Sequence, residues 1–285
     1  MLIVAAELMF ACMGASIRQV STELNNGIVV FARNLIGLLL ILSLTAHPSQ
    51  RKLRTQVPHL HLIRSMAGLG AMYCFFYAIA HMPLANAMLL KLSAPLFIPL
   101  VALIWLGERF TWHVLAALAI GFAGVSIILV PDFDTMAPVT MVAVLGGALA
   151  AVAKVTVRKL SATEPAARTV FYFSAIGTLV SIVPLAWLWE TPSHDQLAWL
   201  LVLGIFATSG QMLLTRGMAC APAARLGPFA FFSVVFGATL GWIFWDELLG
   251  RATVLGTLLI LASTLLTGRG LPHTKAIPIN ANQTG

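Results

Sequence analysis

"AIAHMPLANAMLLKLSAPLFIPLVALIWLGERFT", residues 78–111, returns in altered form as "GMACAPAARLGPFAFFSVVFGATLGWIFWDELLG", residues 217–250. A shift of about 140 residues sets Pro83 on Pro222 and Glu108 on Glu247. Upstream, it sets Phe31 on Phe171, Gly37 on Gly177, and Arg18 and Ser21 on Arg158 and Ser161. The chain reads as two related halves, residues 1–135 and 136–270. A polar tail, 271–285, follows and is expected to be disordered.

Lipid is the solvent for both halves. The 285 residues are 59% hydrophobic and only 9% charged, and the mean hydropathy is +0.93. An ordinary soluble domain carries about 25% charged residues, and no soluble fold buries this much apolar surface. Apolar runs of about 17–25 residues match the length that crosses a bilayer. Ten are read, near 2–20, 27–46, 62–80, 84–106, 112–130, 137–158, 166–189, 196–218, 222–245 and 252–268. Turn chemistry separates them, as in "TELNNG", "PDFDTMAP" and "ETPSHD". The expected fold is an all-α integral membrane protein, with ten transmembrane helices forming two inverted five-helix repeats. Five is odd, so the second half crosses in the reverse sense, and inverted repeats are a transporter device.

The net charge is +7, but the basic residues cluster in short connections. That distribution points to membrane orientation rather than to a nucleic-acid partner. Arg51, Lys52, Arg54, Arg64, Arg109, Arg158, Lys159, Arg168, Arg269 and Lys275 fall on the side of the N-terminus. The opposite side has Arg18 and Arg251, with the acids Asp132, Asp134, Glu190 and Asp195. The positive-inside rule then puts both termini in the cytoplasm. No basic leader with a small-residue cleavage site opens the chain, so the first apolar run is expected to stay as a span. Cys12, Cys74 and Cys220 lie in or beside apolar runs without a CxxC pattern. Neither a disulfide framework, a metal site nor a cofactor is expected.

Each half resembles the EamA-type unit of the drug/metabolite transporter superfamily. The residues that carry the resemblance are "FFYAIAHMPLANAMLLKLSAPLFIPLVALIWLGERFTWHVLAALAIGFAGVSIIL" in the first half and "WDELLGRATVLGTLLILASTLL" in the second. They form a proline-bearing fourth helix, a Gly-Glu-Arg end and a fifth helix striped with small residues. In the second half Asp246 stands where the glycine before the glutamate is usual. The resemblance implies a multi-pass transporter of the bacterial cytoplasmic membrane, a monomer or homodimer. Family members move amino acids, vitamins, nucleotide-like metabolites, sugars and drugs.

Several polar residues interrupt the apolar runs. Lys91 sits in "MLLKLSAPLF", residues 88–97. A lysine at the centre of a membrane helix costs about 2.5–3.5 kcal/mol on insertion scales. Its own helical face carries Ala87, Ala94 and Pro95, a surface for protein or a cavity rather than for lipid. Pro95 has no N–H and leaves the carbonyl of Lys91 without its helical partner. Broken helices of this kind are tolerated where they line a cavity. Three readings stand for Lys91: substrate or counter-charge, snorkelling to the near interface, and a buried pair with Glu7.

Glu7 is a candidate proton-coupling group or a helix-end residue near water. Arg33, within the second run, is a candidate substrate ligand whose long stem also permits snorkelling. Tyr73, Tyr77 and His81 share one helical face. Thr208, Gln211 and Thr215 form a polar stripe at the matching place in the second half. The two tyrosines and this stripe are candidate cavity linings, whereas His81 reads as an interface residue. Lys154 and Arg158 read as cytoplasmic anchors. Glu108 and Glu247 read as caps on the start of the helix that follows each, or as partners of Arg109 and Arg251. Gly237 and Gly241 form a GxxxG, a packing surface either inside the bundle or at a dimer face.

The function expected is secondary active transport, by alternating access, of a small organic metabolite carrying an anionic or zwitterionic group. A lipid-modifying membrane enzyme is the rival. It needs clustered acids, histidines or a nucleophile at one surface, and His47, His59, His61, His81 and His113 are scattered. A non-transporting membrane subunit is the third reading, and it leaves the inverted repeat unexplained. No GxxxxGK[ST] loop occurs, so direct drive by ATP is not expected.

Overall fold

The computed structural model describes residues 1–44, 53–91, 93–106, 133–220, 232–247 and 250–270, with isolated helical positions between 112 and 127. Within these residues the regular structure is helical: α1 (Leu2–Val20), α2 (Asn26–Leu44), α3 (Pro58–His81), α4 (Leu84–Lys91), α5 (Ala94–Leu106), α6 (Phe133–Leu160), α7 (Ala166–Leu188), α8 (His194–Cys220), α9 (Phe232–Trp245) and α10 (Arg251–Gly270). Six of them, α1, α2, α3, α6, α7 and α8, are long and apolar enough to cross a membrane. In lipid every backbone N–H and C=O must be satisfied within its own element, and the α-helix does this locally. The ten expected spans are thus described as six full-length helices and several shorter ones. Most of the fifth run, together with Glu108 and the tail 271–285, lies outside the described residues.

The fourth run differs from a single span. It is two helices, ending at Lys91 and restarting at Ala94. The cause is Pro95, which has no N–H to offer the carbonyl four residues back. A tight turn bridges the break: the Ser93 N–H donates to the Leu90 carbonyl at 2.9 Å, and the Leu96 N–H to the Ser93 carbonyl at 2.9 Å. Lys91 is therefore the last residue of a helix that stops inside the bundle.

Three antiparallel crossings organise the fold. α1 lies against α8, with Ile3 beside Gly217 and Phe10 beside Gly210. α3 lies against α6, with Cys74 beside Gly146 and Leu149 beside Gly70. α2 lies against α7, where Gly37 faces Ser174 and Gly177 faces Asn34. Small residues let helices approach closely where lipid supplies no hydrophobic drive. Shifting by the repeat turns the first crossing into the second and returns the third to itself, so the packing follows the sequence repeat. Gly237 of the GxxxG faces Met88, whose Cγ lies 2.7 Å from where a Cβ would stand. That stripe packs on α4 inside the bundle. Large apolar side chains such as Leu39, Leu179, Trp187 and Trp242 point outward, as lipid contact requires.

Candidate functional site

A cavity of about 140 Å³ opens between α1, α2, α3, α4, α6, α7 and α8. It lies toward the end of the bundle where α1 begins and α8 finishes: α1 contributes Glu7, Phe10 and Met13, and α8 contributes Gln211, Leu214 and Met218. Much of the wall is apolar, with Met72, Phe75, Phe76 and Phe173, and a strip of small α6 residues, Ala143, Gly146, Gly147 and Ala150. The small strip gives α6 its close approach to α3 and to the break after α4.

Five charged side chains line this cavity: Glu7, Arg33, Arg64, Lys91 and Lys154. Glu7 is buried, and its Oε2 lies 2.8 Å from the Lys91 Nζ. The third reading of Lys91, a pair with Glu7, is the geometry observed, and it faces a cavity. The Lys91 ammonium also stands 4.6 Å from the centre of the Phe10 ring and 5.9 Å from that of Phe75. Ring faces of this kind attract cations. Lys154 is partly buried and within electrostatic reach of Glu7 and Lys91. Its reading as a cytoplasmic anchor is therefore corrected. It is six residues from the end of α6, and the rotation of that helix turns it inward.

Arg33 and Arg64 are 2% and 3% exposed. Both stand over the Phe173 ring, Arg64 at 3.6 Å and Arg33 at 4.9 Å from its centre. Arg33 Nη1 donates to Asn34 Oδ1 at 3.0 Å, and Arg64 Nη2 to Gln211 Oε1 at 3.0 Å. Nε and Nη1 of Arg64 are buried without a hydrogen-bond partner. Gly68, one turn beyond Arg64, makes the arrangement possible. A Cβ there would stand 2.7 Å from Arg64 Nη1 and 2.9 Å from Phe173 Cε2. Arg33 does not snorkel, and Arg64 is not the interface anchor that the charge count suggested.

The structure thus brings Glu7, Arg33, Lys91 and Gln211 to one cavity. Tyr73, Tyr77, Thr208 and Thr215 are not among its lining residues. Tyr73 packs against the core with its hydroxyl unpartnered. Tyr77 stacks on His81, with ring centres 4.1 Å apart. Thr208 and Thr215 return their hydroxyls to the carbonyls of Gly204 and Gln211, one turn earlier. Arg64, Lys154 and Phe173 were missed as site residues. A usable signal was the Arg64–Gly68 spacing, which leaves a one-turn notch for a long side chain.

Arg18 and Glu247 tie the elements together at the opposite end of the bundle. Arg18 Nη1 donates to the Ile79 and Met82 carbonyls at 2.8 and 2.6 Å, closing the C-terminal end of α3. Its Nη2 meets Glu247 Oε1 at 3.1 Å. Glu247 Oε2 accepts the Leu84 N–H at 2.8 Å and so caps α4. Glu247 does cap a helix, but α4 of the other half rather than the helix that follows it, and its charged partner is Arg18 rather than Arg251. Near the cavity end, Glu164 accepts from the Thr55 hydroxyl at 2.6 Å and pairs with Arg168. The buried His61 ring stacks on Tyr172 at 4.4 Å.

The sequence profile of the EamA-like transporter family matches residues 1–130 and 138–269. The chain belongs to the EamA-like transporter family. Among its relatives is the pseudopaline exporter CntI of Pseudomonas aeruginosa, 34% identical over 272 residues, with 94% of this chain and 95% of that protein covered. The S-adenosylmethionine uptake transporter of Rickettsia bellii is 25% identical over 248 residues, covering 87% of this chain and 85% of its own. A protein of known crystal structure, 18% identical, shares the fold with a TM-score of 0.67 over 93% of this chain and 94% of its own. This EamA-like protein is a multi-pass membrane transporter and not an enzyme. Its family relationship fits an all-helical chain whose charged residues meet in an internal cavity rather than at a catalytic surface.

Proposed function

We propose that this EamA-like protein moves a small organic metabolite, anionic or zwitterionic, across the cytoplasmic membrane by alternating access. Lys91, Arg33 and Gln211 contact the solute, with Arg64 and Lys154 beside them. The observation that carries this reading is the cavity's charge: four cations against one carboxylate among its described lining residues. Uncompensated buried charge is costly, several kcal/mol per ion after relaxation. A solute that brings negative charge relieves that cost. The Glu7–Lys91 pair gives the solute a competitor to displace and gives a proton a carboxylate to occupy.

In this reading the two halves, 1–135 and 136–270, exchange conformations. The Arg18–Glu247 tie joins α1, α3 and α4 to the second half at the closed end, and its rupture is the step that opens the cavity to the other side. Both termini are cytoplasmic, so the cavity faces inward in this state. Likeness to a pseudopaline exporter favours export. A cationic solute, as S-adenosylmethionine is, meets an adverse field here, which disfavours the activity named for the Rickettsia relatives. Tyr73, Tyr77, Thr208 and Thr215 join the solute path in the alternate state.

The test is a flux screen in proteoliposomes across amino acids, carboxylates, vitamins and nucleotides, with and without a pH gradient. Saturable flux of anionic or zwitterionic solutes, competed by one another, is expected. Flux confined to cationic solutes overturns the charge argument.

A further inference from the structure

We propose that the cavity contains two separate anion subsites, and that its solute carries two carboxylate groups held apart by an apolar spacer. This rests on the transport reading above and narrows its solute class.

The first subsite is built by Lys91 and Lys154 around Glu7, on α4, α6 and α1. Glu7 neutralises one of the two cations at 2.8 Å, and the other is left in excess. The second is built by Arg33 and Arg64 around Phe173, on α2, α3 and α7. No carboxylate is given to either guanidinium among the described hydrogen bonds and ion pairs. Their partners are an amide each, Asn34 and Gln211, and the shared ring. Two amides and a ring face return less than two guanidinium ions lose on leaving water. The pair also repels itself. Arg64 keeps two unpartnered donors at 3% exposure in the cavity wall. A planar guanidinium with free donors matches a carboxylate.

The two clusters share no partner and sit on different helices, so a single carboxylate does not serve both. Apart from these groups most of the cavity wall is apolar. The repeat does not require either arginine, since Phe173 and Gly204 stand at their equivalent positions in the second half. Each arginine is present in one half only, as expected of a binding group and not of a scaffold.

The experiment is titration calorimetry on the purified full chain in detergent. The probes are straight-chain α,ω-dicarboxylates from succinate to suberate, each set against the monocarboxylate of equal length. The wild-type protein is expected to bind its best dicarboxylate at least tenfold tighter than the matching monocarboxylate. Arg64→Gln should erase that advantage, bringing dicarboxylate affinity to within twofold of the monocarboxylate's in the same variant. Arg33→Gln, melted in parallel, gives the same pattern if Arg64→Gln does not fold. Glu7→Gln should tighten monocarboxylate binding, because it removes the internal competitor at Lys91. Equal wild-type affinity for both classes overturns the two-subsite inference while anion transport stands. So does a loss in Arg64→Gln that strikes both classes alike. Absence of binding by either class overturns the anion reading and this inference with it.

Discussion

Arg33 and Phe173 hold equivalent positions in the two halves of the sequence, and the guanidinium carbon of one lies 4.9 Å from the ring centre of the other. One turn further along, Gly37 packs on Ser174 and its equivalent Gly177 packs on Asn34. The axis relating the halves runs through this crossing. Yet each charged residue of the cavity has an uncharged mate: Glu7 with Gly147, Arg64 with Gly204, Lys91 with Ala230, and Lys154 with Gly14. The scaffold is duplicated and the chemistry is not.

Lys91 and Lys154 are expected to substitute partly for each other as counter-ions to Glu7. Lys91→Met should lower flux at least tenfold, as loss of about 1.4 kcal/mol of charge-assisted contact implies. Its folding stability should fall by only about 1 kcal/mol, because Lys154 remains in reach. Lys91→Met with Lys154→Met strands a buried carboxylate, which costs about 3–5 kcal/mol. Thermal melts of Lys91→Met, Lys154→Met and the double variant should therefore be strongly non-additive. Additive losses would mean that the two lysines do not share Glu7.

Glu7→Gln tests proton coupling. The amide keeps the shape and a hydrogen-bond acceptor for Lys91 but cannot take up a proton on the same terms. Uptake or efflux driven by a pH gradient should vanish, while solute exchange without a gradient persists. Unchanged dependence on the gradient would leave Glu7 with a purely structural part.

Gly68→Ala should disturb the second cation cluster without removing a charge. The new methyl would press on Arg64 Nη1 at 2.7 Å and on the Phe173 ring at 2.9 Å. Overpacking of this sort costs about 1–3 kcal/mol. The expected result is a protein that still folds in detergent but carries solute at least several-fold more slowly. Wild-type flux would show that the notch is not what seats Arg64.

Arg18 and Glu247 are predicted to be energetically coupled across the two halves. A double-mutant cycle with Arg18→Ala and Glu247→Ala, read by thermal stability, should return about 1 kcal/mol, since the pair is partly exposed. Glu247→Ala should also admit a bulky thiol reagent to a cysteine placed at Ala15, on the closed side of the cavity. A coupling of zero with unchanged access would remove the pair as a tie.

Cysteines at Gln50 and Asn282, in a background freed of Cys12, Cys74 and Cys220, are expected to react only from the cytoplasmic side. One at Asp134 is expected to react only from outside. Labelling of Asn282 and Asp134 from the same face would end the ten-span topology.

The sequence by itself determined that this chain lives in lipid, that it is helical, and that it is built twice. Hydropathy, helix length and self-similarity are properties along the chain, and no distant contact is needed to read them. It also marked Lys91 as anomalous and Pro95 as the reason for a broken fourth helix, because proline acts on the carbonyl four residues away. It marked Glu7, Arg33 and Gln211 as polar groups in apolar runs. What it left open was direction. Arg64 and Lys154 each lie six residues from a helix end, where a long side chain reaches water or the interior with equal ease. Only helix rotation chooses, and rotation is set by remote packing: Gly146 on Cys74, Gly70 on Leu149, and the notch at Gly68 filled by Phe173 from another half. The tertiary structure alone therefore decided that four cations and one carboxylate meet in a single cavity, and that Arg18 rather than Arg251 holds Glu247.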